Sequence, residues 1–274
     1  MLDTIARKIL PIQIRQALGR WSLVQASRNE LLLKAYLWLV HGYNMKNLRL
    51  LSNNEASYNY MDCEIIAPRD GIGSFFEVFQ KEVYDKILKI EKGNIVIDIG
   101  AYVGMFSIKA STLVGLNGLV IAVEPDANNF KYLQDNILRN AHSIIKPVSV
   151  ALSDRDGIAN LYLSKATACH SLIYKQRYRA VCTTTTLDSL LNRLGLSKRI
   201  IDFIKIDAEG AEVQVLEGAR ETLKFTRKVS VATYHELPGG KSEMQRVRDI
   251  LTNQGFEVIQ ETGLRGYTYA KKSS

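Results

Sequence analysis

A chain of 274 residues with 46% hydrophobic content is long enough for one full domain with appendages and needs no staples to fold. Its three cysteines, Cys63, Cys169 and Cys182, are widely spaced and form no C-x-x-C pair, which argues against a disulfide framework or a zinc site and fits a reducing cytoplasm. Residues 1–50 hold eight Lys and Arg against two acidic residues, so +6 of the net charge of +8 sits there, and the nearly balanced remainder does not argue for a nucleic-acid-binding core.

Residues 1–70 read as a basic N-terminal helical arm with a lead-in, and residues 71–274 as the main domain. In the arm, Ile14, Leu18, Trp21 and Gln25 share one helical face and Pro11 begins or kinks a helix. The longest apolar run, "LLLKAYLWLV", has ten residues and includes Lys34, too short for a membrane span, and no signal peptide is expected. The arm either packs as a helical layer or rests on anionic lipid or an acidic partner.

Next come "CEIIAP" as a strand, "RDGIG" as a turn and "FFEVFQKEVYDKILKI" as a helix. From residue 94 strands and helices alternate: "IVIDI", "FSIKASTLV", "LVIAVE", "ANNFKYLQDNILRNA", "IIKPVSVAL". Buried parallel strands covered by helices produce this rhythm. A hairpin or lid interrupts it between Ser153 and Arg199. It resumes with "DFIKID", "AEVQVLEGARETL", "KVSVATYHEL", "SEMQRVRDILTNQG", "FEVIQET" and "GYTYAKK", the last two strands antiparallel about "TGLRG".

Gly100 and Gly104 follow "IVIDI" directly, but the middle glycine of a G-x-G-x-x-G fingerprint is missing, which weakens a pyrophosphate site. The turn is either a ligand cradle or a tight packing turn. Glu124 ends the next strand, twenty residues beyond Gly104, where a carboxylate accepts hydrogen bonds from both hydroxyls of a ribose.

The blocks "VIDIGAYVGMFSI", "VEPDANNFKYLQDNI", "VALSDRDG", "TTLDSLL" and "FIKIDAEGAEVQVLEGA" resemble, in this order, those of FkbM-family S-adenosylmethionine-dependent methyltransferases, over roughly residues 75–269. The resemblance implies a Rossmann-like class I methyltransferase fold, α/β, with a seven-stranded, mostly parallel sheet and an antiparallel last strand. It implies O-methylation of a hydroxyl on a small molecule or glycan. By position, Asp98, Gly100, Ala101, Tyr102 and Gly104 would line the methionine part of the cofactor and Glu124 would hold its ribose. Asp154 sits where the fold often reads adenine.

A sulfonium cofactor has no phosphate to neutralise, so it calls for acidic groups, and Asp98, Glu124 and Asp207 stand at three strand ends. Asp207 is expected to contact cofactor or substrate, the alternative being a cap for the helix that starts at "AEVQVL". His235 is the first candidate for the base that takes the acceptor's proton and Asp207 the second. No metal is expected; a divalent ion bridging Asp207, Glu209 and His235 is the alternative.

Neither an N/D-P-P-Y/F pattern nor a Pro-Cys pair is present, so base methylation is disfavoured. An RNA ribose methyltransferase, a non-catalytic cofactor-binding protein and an NAD-dependent dehydrogenase remain as alternative readings, the last disfavoured by the absent G-x-G.

Overall fold

The computed structural model describes residues 46–51, 53–234, 236–237, 241–261 and 266–272. The arm, with its expected helices and possible membrane contact, lies in residues 1–45, outside the described residues. The chain divides into two compact units, Met1–Gln80 and Lys81–Ser274.

In the first unit, β1 (Leu48–Leu50), β2 (Glu55–Tyr60) and β3 (Cys63–Pro68) form an antiparallel sheet, followed by α1 (Ile72–Phe79). Tyr58 on β2 stacks on Phe75 at 5.1 Å and on Phe79 at 5.2 Å, so aromatic contact fixes the helix to the sheet.

The second unit holds β4 (Ile95–Ile99), α2 (Met105–Val114), β5 (Leu119–Val123), α3 (Ala127–Arg139) and β6 (Ile145–Val148). Then come β7 (Ala151–Leu152), β8 (Gly157–Leu163), β9 (Tyr178–Thr185), α4 (Leu187–Arg193), β10 (Ile201–Ile206), α5 (Glu212–Glu217) and α6 (Arg220–Lys224). Last are β11 (Thr226–Ala232), β12 (Glu236–Leu237), β13 (Lys241–Ser242), α7 (Glu243–Asn253), β14 (Glu257–Glu261) and β15 (Tyr267–Lys271).

The expected seven-stranded sheet is present among the described residues, in the order β14-β15-β11-β10-β4-β5-β6. β15 runs antiparallel to both neighbours, and the β11-β10-β4-β5-β6 ladders are all parallel. The chain moves outward from β4 to β6 and then returns to place β10 on the other side of β4. The crevice above the carboxyl ends of β4 and β10 is therefore the topological switch point, where open α/β sheets bind ligands. Ile97, Ile99, Ile121, Ile204, Ile206 and Val231 build the core beneath it.

Four segments depart from the sequence expectation. Residues 75–90 do not form one helix: α1 ends at Phe79 and residues 80–94 carry no helix or strand. Glu82 takes a positive φ of 51°, and the buried Lys109 ammonium on α2 holds Glu82 Oε1 at 3.1 Å and Asp85 Oδ1 at 2.9 Å. These long-range ion pairs take the place of the local helical ladder. The run 144–152 divides into β6, an edge strand that tolerates Pro147, and β7, which joins a separate sheet of order β7-β9-β8.

The helix expected over 211–223 breaks between α5 and α6, where a Cβ on Gly218 would lie 2.1 Å from the Ser153 carbonyl oxygen. The strand expected over 228–237 ends at Ala232, and β12 pairs with β13 instead. The hairpin expected after Ser153 is present as β8 paired with β9.

Removing one partner from a buried ion pair leaves an uncompensated charge, at a cost of about 3–5 kcal/mol. Lys109→Met is expected to destabilise the protein by about that amount, read as a lowered urea midpoint, because it strands Asp85 at 3% exposure.

Candidate active site

The first turn is built by close approach. Gly100, with φ +71°, brings the end of β4 against β10, where a Cβ would lie 1.9 Å from the Asp207 carbonyl oxygen. Gly104, with φ +88°, lets α2 start beside α3, where a Cβ would lie 2.6 Å from Leu133 Cδ1. Both glycines are thus required by packing between segments.

Four of the turn's amides are engaged within the protein. Gly100 and Ala101 donate to the Val123 carbonyl at 3.0 and 2.9 Å, Gly104 donates to the Ala101 carbonyl at 2.8 Å, and Tyr102 donates to Glu124 Oε2 at 2.9 Å. Tyr102 itself holds φ +53°, a left-handed conformation uncommon for a residue with a side chain. These four N–H groups are therefore not free to form a nest for a phosphate.

Glu124 ends β5 and is 5% exposed. Its Oε1 accepts from the Asp126 amide at 2.9 Å and its Oε2 from Tyr102. Burial nevertheless pushes its carboxyl up to about 7, against the pull of those two amides. The cap of α3 is supplied by Asp126, which accepts from the amides of Asn128 and Asn129 at 3.0 and 2.9 Å.

Beneath the turn lies a charged pair. Asp98 on β4 and Lys205 on β10 are register partners, 0% and 3% exposed, with Lys205 Nζ 3.0 Å from Asp98 Oδ1. The ammonium directs its hydrogen bonds to the carbonyls of Ile99 at 3.2 Å and Gly100 at 2.6 Å. Ser107 Oγ on α2 donates to Asp98 Oδ2 at 2.6 Å, and Asp98 Oδ1 keeps an unfilled hydrogen-bonding valence. Of the three strand-end carboxylates expected to face a sulfonium, Asp98 is therefore neutralised from within.

Asp207 follows β10 at the switch point. Tyr84 Oη donates to its Oδ2 at 2.5 Å and Tyr234 Oη to its Oδ1 at 3.2 Å. Both tyrosines stand edge-on to the ring of Tyr267. The carboxylate does not cap α5; Glu212 Oε1 accepts from the Ala208 amide at 2.8 Å instead. Glu209, two residues on, holds φ +50°. His235 lies outside the described residues. Among the described residues, no group of three or more His, Cys, Asp and Glu is arranged to hold a metal ion.

The connection between β8 and β9 lies over both sides of the switch point. Thr167 Oγ1 is 2.7 Å from Tyr102 Oη and its carbonyl accepts from Asn129 Nδ2 at 2.9 Å. On the other side Ser171 Oγ donates to the Glu209 carbonyl at 2.5 Å, and Tyr174 packs on Gly210. Asp154, after β7, is exposed, accepting from Ser153 Oγ at 3.1 Å with Arg155 Nε 3.8 Å away. Two residues on, Asp156 ties down the end of β9 through Thr185 Oγ1 at 2.6 Å.

The structure thus gathers Gly100, Ala101, Tyr102, Gly104 and Glu124 at one side of the switch point and Asp207 at the other, with Asp98 below. Sequence reasoning missed Lys205, Tyr84, Tyr234 and Ser107. Only Lys205 carries a signal, as a charged residue inside an otherwise buried strand.

A reversed last strand, engaged turn amides and carboxylates at the switch point define a class I methyltransferase. They fit S-adenosylmethionine, which carries no phosphate and so calls for no nest of free amides. The model of the methyltransferase FkbM domain matches residues 98–258. This chain belongs to the FkbM methyltransferase family, and its cofactor is S-adenosylmethionine.

Methyltransferase sdnD of Sordaria araneosa is 26% identical over 219 residues, which cover 68% of this chain and 82% of that protein. The crystal structure of methyltransferase FkbM from Methylobacillus flagellatus is similar with a TM-score of 0.50 at 16% identity, covering 94% of this chain and 58% of that one. A SAM-dependent methyltransferase from Aquifex aeolicus is similar with a TM-score of 0.44 at 15% identity, covering 72% and 93%.

Because the folded-state pKa of Glu124 is raised, its contribution to stability is fully present below the unfolded value near 4.5 and is lost as pH rises through about 7. Relative to Glu124→Gln, the wild type is expected to lose on the order of 3 kcal/mol of unfolding free energy between pH 4.5 and 8. Urea unfolding of both proteins across that range checks this.

Proposed function

We propose that the protein transfers the methyl group of S-adenosylmethionine to a hydroxyl oxygen of a small molecule or glycan. The observation that carries this reading is the carboxylate of Asp207, held at the switch point by two phenols beside a turn whose amides offer no phosphate cradle. When bound, S-adenosylmethionine supplies an electrophilic methyl on a sulfonium.

Glu124 holds the ribose hydroxyls, and Gly100, Ala101, Tyr102 and Gly104 shape the floor under the methionine part, with Asp98 fixing that floor from below. Asp154 is the candidate for the adenine side. Asp207 contacts the cofactor beside its reactive methyl and there orients the acceptor or takes its proton, and His235 is the other candidate base. General-base assistance of this kind contributes roughly 10²–10⁴-fold.

The acceptor side is cationic. From Gly157 to Leu187 there is no Asp or Glu, while Lys165, Lys175, Arg177 and Arg179 are present and exposed. This supports an acceptor that is a sugar or carries a negative charge. A small molecule or glycan is favoured over nucleic acid because residues 51–274 carry only +2 of the net charge. The placement proposed is the cytoplasm, where the three cysteines stay as thiols, with the basic arm as the contact to anionic lipid. Among the described residues, no helix is long and apolar enough to cross a membrane.

Transfer of labelled methyl from S-adenosylmethionine to a panel of hydroxyl compounds tests the reaction. A base-stable methyl ether supports it, whereas a base-labile ester or an N-methyl product sinks it.

Ribose hydroxyls donate to the charged form of Glu124, so binding must expel its proton below about pH 7. Affinity for S-adenosylhomocysteine is expected to rise with pH and level off above that value. Glu124→Gln is expected to flatten the profile and weaken binding about tenfold or more, since hydrogen bonds to a charged group contribute about 1.5–3 kcal/mol. Calorimetry at several pH values checks both.

A further inference from the structure

The buried ion cluster of α2 plays no part in the functional reading, yet it borders the site. Lys109 is 1% exposed and pairs with Glu82 and Asp85, which flank Tyr84 in a segment with no helix or strand of its own. Between them, the Val83 carbonyl accepts from Tyr269 Oη at 2.5 Å. The Tyr84 ring stands edge-on to Phe106 at 5.4 Å and to Tyr267 at 5.6 Å, and Lys205 Nζ lies 5.1 Å from its centroid. Its hydroxyl ends on Asp207 Oδ2.

A carboxylate on a strand end rotates about two side-chain bonds unless both oxygens are held. Here Tyr84 holds one oxygen at 2.5 Å and the half-buried Tyr234 holds the other at 3.2 Å. Burial and the neighbouring Asp207 charge push the Tyr84 phenol well above its usual range, so it stays a donor at any working pH. Preorganised sites depend on such supporting residues being locked themselves.

We propose that Lys109, acting through Asp85 and Glu82, locks Tyr84, and that Tyr84 is a positioning residue that fixes the Asp207 carboxylate for its ligand. This rests on the reading of Asp207 as a site residue. The lock is remote from the ligand: Lys109 acts three links away from Asp207, and neither Lys109 nor Asp85 faces solvent.

The test combines NMR of protein labelled at the tyrosine ring with calorimetry of S-adenosylhomocysteine. Lys109→Met threatens the fold, so Asp85→Asn is the main probe, with Glu82→Gln at the half-exposed partner as a gentler second, each checked for cooperative unfolding. The Tyr84 hydroxyl-carbon resonance, assigned by its loss in Tyr84→Phe, is expected to shift in Asp207→Asn and in Asp85→Asn.

Tyr84→Phe and Asp85→Asn are each expected to weaken S-adenosylhomocysteine about five- to tenfold, and the double variant no further than Tyr84→Phe alone, since residues acting as one unit are not additive. A resonance unmoved by Asp85→Asn, or effects that multiply in the double variant, overturns the proposal. Full binding by Tyr84→Phe when Asp207→Asn binds poorly also overturns it. Full binding by Asp207→Asn instead removes Asp207 from the cofactor site, and the proposed role of Tyr84 goes with it.

Discussion

The site is organised around one buried ammonium. Lys205 sits on a strand whose six residues, Ile201–Ile206, are all buried, and a lone charge there would cost several kcal/mol. Asp98 across the ladder, two backbone carbonyls and the face of Tyr84 together offset that cost. Each partner is a part of the site. The Ile99 and Gly100 carbonyls fix the exit of β4, Asp98 ties that exit to α2 through Ser107, and Tyr84 leads to Asp207. The two strands on either side of the switch point are thereby fastened to each other by charge as well as by their ladder.

This arrangement changes the meaning of the acidic residues around the crevice. Asp98, Glu124 and Asp207 look equivalent as strand-end carboxylates, but their surroundings separate them. Asp98 meets a cation, Glu124 meets backbone amides under a heavy desolvation load, and Asp207 meets phenols. Three identical functional groups thus stand in three different environments, an ion pair, a desolvated pair of amides and a pair of phenol donors.

Much of this was legible in the sequence where the governing forces are local or periodic. Alternating apolar runs marked the parallel strands of the sheet, and the reversed β15 followed from the short "TGLRG" turn between the last two strands. Gly100, Gly104 and Glu124 stood out because a turn and a strand end dictate their types. The failures have non-local causes. Residues 75–90 hold an apolar pattern compatible with a helix, but Lys109, far along the chain, pulls Glu82 and Asp85 into a different path. Residues 211–223 broke at Gly218, whose neighbour Ser153 is 65 positions earlier. Tyr84 gave no signal at all, since a lone tyrosine in an amphipathic run reads as core until its hydroxyl is seen on Asp207.

The cover formed between β8 and β9 reaches the site largely through backbone atoms and small hydroxyls. Thr167 offers a hydroxyl and a carbonyl, and Ser171 meets a carbonyl of Glu209. Such anchors ask little of the residues between them, so Lys165, Lys175 and Arg177 project from a frame that does not depend on their identity. Sheet and turn hold themselves together through their own interior contacts, and the cover is fastened to them at a few points. On the proposed reading of the cover as the acceptor side, grafting another connection between β8 and β9 would leave the interior charges undisturbed.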